Sequence, residues 1–142
     1  MSFTVICNSG VNAGGTNASN YQYSFDFSKF DDGPYKLTFE FVSQATNANN
    51  IYFIIIQDFG TCLNSYTAGG GTNAQLNNFL GIVSNWNGAS VGTGYLTNLQ
   101  QMPKFIANRP RCSTFTVNIV DTAGTAIAAP VQYVLILNFE KV

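Results

Sequence analysis

Side chains alternate in polarity along four separate runs of this chain. Tyr21, Tyr23, Phe25 and Phe27 are separated by Gln22, Ser24 and Asp26, and Tyr35, Leu37, Phe39 and Phe41 by Lys36, Thr38 and Glu40. Phe115, Val117 and Ile119 repeat the spacing between Thr114 and Asp121, as do Val131, Tyr133, Leu135, Leu137 and Phe139 up to Glu140. A period of two belongs to a β-strand, whose successive side chains point to opposite faces. Wound into a helix, the same residues would scatter round the circumference and leave no apolar stripe to bury. The alternation therefore predicts an all-β chain in which each run is a strand half-buried against a core.

Other segments extend the count. Ile51 to Ile56 is apolar on both faces and reads as a strand covered on both sides. Phe79 to Trp86 and Tyr95 to Leu99 are further short strands, and Phe3 to Cys7 is a weaker one, giving about eight. Asp31-Asp32-Gly33-Pro34 is turn chemistry, since Gly tolerates positive φ and Pro cannot continue a ladder. The runs on either side of it are expected to pair as an antiparallel hairpin. No stretch has the i, i+3, i+4, i+7 spacing of an amphipathic helix, and Ala74 to Leu80 accommodates one helical turn at most. Gly-, Asn-, Ser- and Thr-rich stretches over 8–20, 45–50, 66–73 and 87–94 read as loops. With 142 residues, no internal repeat and no linker, 1–142 reads as a single domain. Long, unequal connections favour two packed sheets, namely a single jelly-roll antiparallel β-sandwich. An immunoglobulin-like sandwich is the alternative, because Trp86 lies between Cys62 and Cys112; against it, Arg109-Pro110-Arg111 precedes Cys112 where a tyrosine corner would stand.

Composition narrows the chemistry. The chain has no histidine, which removes His-based acid–base catalysis, the Ser-His-Asp triad and imidazole metal ligands. Six Lys+Arg against seven Asp+Glu leave a net charge of −1, without the basic surplus that phosphate neutralisation needs, so no nucleic-acid partner is expected. Only 9% of residues are charged, and Asn, at seventeen occurrences, stands in for them with Ser, Thr and Gln. A freely diffusing monomer ordinarily carries more charge, whereas surfaces packed against neighbours carry less because desolvating an ion is costly. Met1 to Cys7 lacks the basic and apolar regions of a secretory signal, and the longest apolar run, Ile51 to Ile56, is far short of a membrane span. Cys7, Cys62 and Cys112 are widely spaced and form no CxxC pair, so buried free thiols in a reducing compartment are expected. A Cys7–Cys112 or Cys62–Cys112 disulfide stays open at this level.

Few residues offer a site. Asp26, Asp31 and Asp32 cluster near the first turn, where calcium ligation is weighed against ordinary solvated turn residues, and the latter is preferred. Asp58, Glu40, Asp121 and Glu140 are scattered, and their spacing selects no glycosidase pair. Gly69-Gly70-Gly71-Thr72 is not followed by the GK[ST] of a phosphate loop, and no GxSxG elbow occurs. No catalytic residue, cofactor or metal is therefore assigned. Lys104, Arg109 and Arg111 put half of the six cations into one short segment, a candidate subunit interface for an acidic partner or else a solvated connection. Trp86, between Asn85 and Asn87, is a candidate glycan contact or else the end of a core strand, the second being preferred.

The segment from Ser113 to Glu140 carries a resemblance. It runs Ser-Thr-Phe-Thr-Val-Asn-Ile-Val-Asp, turns at Gly124 and returns as Gln132-Tyr-Val-Leu-Ile-Leu-Asn-Phe-Glu. This resembles the closing strands of single-jelly-roll capsid proteins from nucleocytoplasmic large DNA viruses. The resemblance implies a penton-type or minor (cement) capsid protein rather than an enzyme. Such a protein is made in the host cytoplasm and resides in the capsid shell of the virion. It would form a homo-oligomer, a pentamer being favoured, and bind other capsid proteins, with no membrane insertion. The absence of a basic arm departs from capsid proteins that bind genome directly. The alternative function is a carbohydrate-binding lectin or a tumour-necrosis-factor-like oligomeric binding module on the same scaffold.

Overall fold

The computed structural model describes residues 1–10, 20–44, 51–59, 65–67, 75–77, 79–85, 95–98, 103–121 and 133–142. Eleven strands follow in chain order: β1 Ser2–Asn8, β2 Asn20–Ser24, β3 Tyr35–Gln44, β4 Ile51–Ile55, β5 Ser65–Thr67, β6 Gln75–Asn77, β7 Phe79–Asn85, β8 Tyr95–Asn98, β9 Lys104–Ile106, β10 Thr114–Val120 and β11 Tyr133–Lys141. Two short 3-10 turns, Phe27–Lys29 and Gln57–Phe59, are the only helical pieces among the described residues. Among the described residues no helix is long and apolar enough to cross a membrane.

Every pairing is antiparallel, and the hydrogen-bonded order is β1-β11-β3-β8-β7-β4-β10-β2, with β9 also on β3 and β5-β6 forming a separate ribbon. This path folds over on itself into a sandwich. One layer holds β1, β11 and β3, with β9 and β8 sharing the second edge of β3, and the other holds β7, β4, β10 and β2. Side chains from both layers meet in one core that includes Val5, Phe39, Ile54, Val83, Val117 and Leu135. The ends of the path meet as well. Phe3 of β1 stacks on Phe25 just beyond β2, centroids 6.2 Å apart, and Tyr23 of β2 donates to the Tyr133 hydroxyl of β11 at 2.9 Å.

The predicted faces hold. Tyr35, Leu37, Phe39 and Phe41 are buried along β3, as are Phe115, Val117 and Ile119 along β10 and Tyr133, Leu135, Leu137 and Phe139 along β11. β4 is covered on both sides: Tyr52 and Ile54 join the main core, while Phe53 and Ile55 pack with Val120 and Ile82 in a second cluster on the opposite face. A bulge at Leu80, where the β4–β7 register slips, lets Leu80 and Val83 both enter the main core.

Two expectations are corrected. The runs around Asp31-Asp32-Gly33-Pro34 do not form a hairpin: β2 pairs with β10, and β3 with β11, β8 and β9. The strand ends at Ser24 because Asp26 caps the following 3-10 turn, accepting from the Ser28 amide at 3.0 Å. Phe27 then drops between the layers, edge-on to Phe59 and Phe139 at 5.7 Å each, and the chain crosses to the other layer before β3 starts. With β2 in one layer and β3 in the other, the two aromatic faces meet in the same core. Gly33 does take the turn conformation, with φ of 126°. The second correction is Ala74 to Leu80, which holds strand β6 and the start of β7 rather than a helical turn.

Cys7 and Cys112 are free thiols, so the Cys7–Cys112 disulfide is not formed, while Cys62 lies outside the described residues. Burial pushes the Cys7 thiol from 9.0 up to about 12. Burial foremost also raises the hydroxyls of Tyr23 and Tyr133, whose mutual hydrogen bond bridges the layers. Each raised value favours the neutral, folded form below its unfolded-state pKa, and that stability is lost as pH climbs through the folded value. Unfolding is therefore expected to set in above about pH 9 and to run as one cooperative step. Mass-mapped alkylation tests this: Cys7 should label only as the fold opens. Native-state labelling of Cys7 that rises with pH before near-UV dichroism is lost would contradict its burial.

Candidate functional site

The acidic turn and the basic segment, 77 and more residues apart in places, meet in one cluster. Asp32 Oδ1 lies 3.0 Å from Arg109 Nε and 3.1 Å from an Arg111 amino nitrogen, and Asp31 lies 3.5 Å from Lys141 Nζ. The Arg109 contact is an ion pair rather than an aligned hydrogen bond, because its buried Nε–H finds no acceptor in line. Gly33 donates its amide to Asn108 Oδ1 at 3.0 Å, the Tyr35 hydroxyl to the Asp31 carbonyl at 2.7 Å, and the Val142 amide to the Pro34 carbonyl at 3.0 Å. This lattice ties the β2–β3 crossover to the segment before β10 and to the end of β11. The exposed Arg111 pair adds little by itself, since exposed ion pairs contribute ~0–1 kcal/mol. The cluster positions chain segments relative to one another.

The candidate interface of Lys104, Arg109 and Arg111 therefore does not exist as one exposed patch. Lys104 lies on β9 opposite Leu37 and is 2% exposed. The Arg109 side chain is 17% exposed and turned to Asp32, and only Arg111, at 60%, stays accessible. The physical reason is local: β9 alternates buried, exposed, buried, so Lys104 and Ile106 point in while Phe105 points out. Trp86 and Asn87 lie outside the described residues, as do the loop residues at 11–19, 45–50 and 68–74.

The carboxylates are dispersed in separate structural roles. Asp26 accepts from the Ser28 amide and hydroxyl, which hold its carboxyl below the usual range, and Asp58 accepts from the Thr116 amide at 2.8 Å. Two surface clefts are lined by described residues. One, about 300 Å³, lies against Thr4, Thr38, Asn138 and the Lys36–Glu140 pair; the other, about 320 Å³, runs between Asp58 and Phe59 on one wall and Ile106 to Arg111 on the other. Each carries one carboxylate, so neither sets out the two carboxylates that a glycosidase requires. No group of three His, Cys, Asp or Glu side chains able to hold a metal occurs among the described residues.

What the surface does offer lies on the outer face of the first layer. The register aligns Ile6 with Ile136 and Ile136 with Glu40, and the next row aligns Asn8, Val134 and Val42. Ile6 is 65% and Val42 51% exposed, with Val134 and Ile136 half-buried between them. Exposed Glu40 ends the Ile6–Ile136 row, and the next row holds Thr4, Asn138 and Thr38, with Thr4 donating to Asn138 Oδ1 at 3.0 Å. Phe105, 56% exposed, sits at the far end beside Lys36. A face of this kind, apolar in one part with a carboxylate and neutral side chains at its border, suits contact with another protein surface. Alternation marked these residues only as outward-facing; their clustering comes from the β1-β11-β3 register, which sequence does not display.

No protein-family model matches the chain, and a search of curated proteins finds no similar one.

Proposed function

We propose that this chain is a structural virion protein, a penton-type or minor (cement) capsid subunit, whose work is to hold neighbours together rather than to transform a substrate. The observation that carries the reading is the outer face of the first layer, where Ile6, Val42, Val134 and Ile136 form an apolar patch bordered by Glu40 and by the neutral row of Thr4, Asn138 and Thr38. The strand order supports the jelly-roll part of the reading. The chain passes from one layer to the other between β1 and β2, β2 and β3, β3 and β4, β7 and β8, β9 and β10, and β10 and β11, as successive strands of a rolled-up Greek key do. The low charge and the closing pattern from Ser113 to Glu140 support the capsid part.

On this reading the partners are copies of the chain itself, favoured as a ring of five, together with other capsid proteins, and the location is the shell of the virion. No catalytic residue is invoked, and the alternative of a glycan- or receptor-binding module has no described geometry behind it. Native mass spectrometry and co-purification with particles test the proposal. A subunit of the shell gives discrete oligomers and stays with purified particles, and it yields no signal on a glycan array. A folded monomer that binds a sugar, and loses it in Trp86→Ala, would replace this reading with the lectin one.

A further inference from the structure

We infer that the outer edge of β1 is a pairing site for the β1 of a second copy of this chain, in an antiparallel arrangement that continues the sheet across a two-fold axis. The inference stands on strand geometry and does not need the capsid reading. Among the described residues β1 has a neighbour on one side only, β11. The Ser9 amide donates to the Tyr133 carbonyl at 3.1 Å and the Lys141 amide to the Met1 carbonyl at 2.9 Å, so the odd-numbered residues of this strand exchange hydrogen bonds with β11. The amides and carbonyls of Ser2, Thr4, Ile6 and Asn8 consequently point the other way, along the free edge.

Natural edges of this kind are blunted with lysine, proline, an inward charge or a bulge. β1 reads Ser-Phe-Thr-Val-Ile-Cys-Asn, with no charge, no proline and no glycine, and its register with β11 is unbroken over all seven residues. An unguarded edge rich in β-branched residues is a template for another strand. The strand is also self-complementary. With Val5 opposite Val5 of the second copy, Ser2 faces Asn8 and Thr4 faces Ile6, and each outward amide and carbonyl on both edges meets a counterpart. No like charges oppose one another in this register, because the strand has none. Directly opposed residues lie on the same face, so the two inner faces stay inner and the two apolar outer patches become one surface.

The test is sedimentation velocity and native mass on the full chain, with amide hydrogen exchange at residue resolution. Proline at position 4 removes an outward amide that β11 does not use, and edge strands tolerate it there. Thr4→Pro should weaken self-association at least about tenfold while the protein still melts cooperatively. Ser24→Lys, exposed on β2 in the other layer, should leave association unchanged. The amides of Thr4 and Ile6 should be protected in the associated wild type and exchange freely in Thr4→Pro. A wild type that stays monomeric overturns the pairing, as does association that survives Thr4→Pro or is lost in Ser24→Lys. A five-copy ring indifferent to Thr4→Pro would overturn it and leave the capsid proposal standing. If Thr4→Pro fails to fold, Ile6→Lys serves in its place, setting a charge on the edge at an exposed position.

Discussion

Phe39→Asp should yield no soluble, cooperatively melting protein. Phe39 sits on β3 with no exposed surface, in register with Leu137 of β11 and directly across the sandwich from Gly81 of β7. Removing its ring alone costs about 3–5 kcal/mol at a fully buried position. The carboxylate that replaces it is set among apolar side chains such as Leu37 and Leu137, and a charge buried there adds several kcal/mol more or takes up a proton instead. Against a total stability of about 5–15 kcal/mol, the sum removes the fold. The comparison that isolates the face is Thr38→Asp, one residue away and pointing outward, which should express and melt within a few degrees of wild type. Circular dichroism melts of the two variants decide it. A cooperative transition in Phe39→Asp, or its loss in Thr38→Asp, would mean that the two faces of β3 are reversed.

That prediction rests on alternation, which is the part of this fold legible in the sequence. Period-two spacing told which side of β3, β10 and β11 is buried, and the doubly apolar run told that β4 is covered on both sides. It carried no information on which strands are neighbours. Turn residues between two matched runs suggested a local hairpin; the actual neighbours, β2 with β10 and β3 with β11, are about ninety residues or more apart in sequence. Pairing at that separation is decided by how two aromatic faces close on one core, and no local pattern encodes it. β5, β6 and β9 are three residues each, too short for any periodicity to be read. In β9 the one strong local signal pointed the wrong way, because lysine is a residue expected at the surface and Lys104 is buried.

The candidate sites divide along the same line. The acidic pair Asp31-Asp32 and the basic pair Arg109 and Arg111 were each visible as charge clusters, but their partnership was not, since composition says nothing of distance. Once they meet, most of the basic segment's charge is spent inside the molecule. The free edge of β1 was half legible: its lack of charge is plain in Ser2 to Asn8, whereas its lack of a second neighbour among the described residues exists only in the pairing pattern. The apolar patch of Ile6, Val42, Val134 and Ile136 is likewise drawn from three strands that the chain visits far apart.

Gly81 offers the sharpest test of how the two layers fit. A Cβ placed on it would fall onto the ring edge of Phe39, at the Cε1 and Cζ atoms. Elsewhere in a strand, replacing glycine by alanine stabilises, by roughly 0.5–1 kcal/mol, because the unfolded chain loses freedom. Here the ring has nowhere to go, since Phe39 is fully enclosed and packing at this density forces neighbours to shift. Gly81→Ala should therefore destabilise by about 1–3 kcal/mol, and Gly81→Val by more. Shortening the opposing side chain removes the obstacle. In a Phe39→Leu background the added methyl should fill space instead of colliding, so the same Gly81→Ala change should become neutral or stabilising. Denaturant titrations of wild type, the two single variants and the double variant give the coupling directly, and the coupling should favour the double variant by at least ~1 kcal/mol. Equal effects of Gly81→Ala in both backgrounds would mean that β3 and β7 do not meet at this point, and that the layers stack in a different alignment.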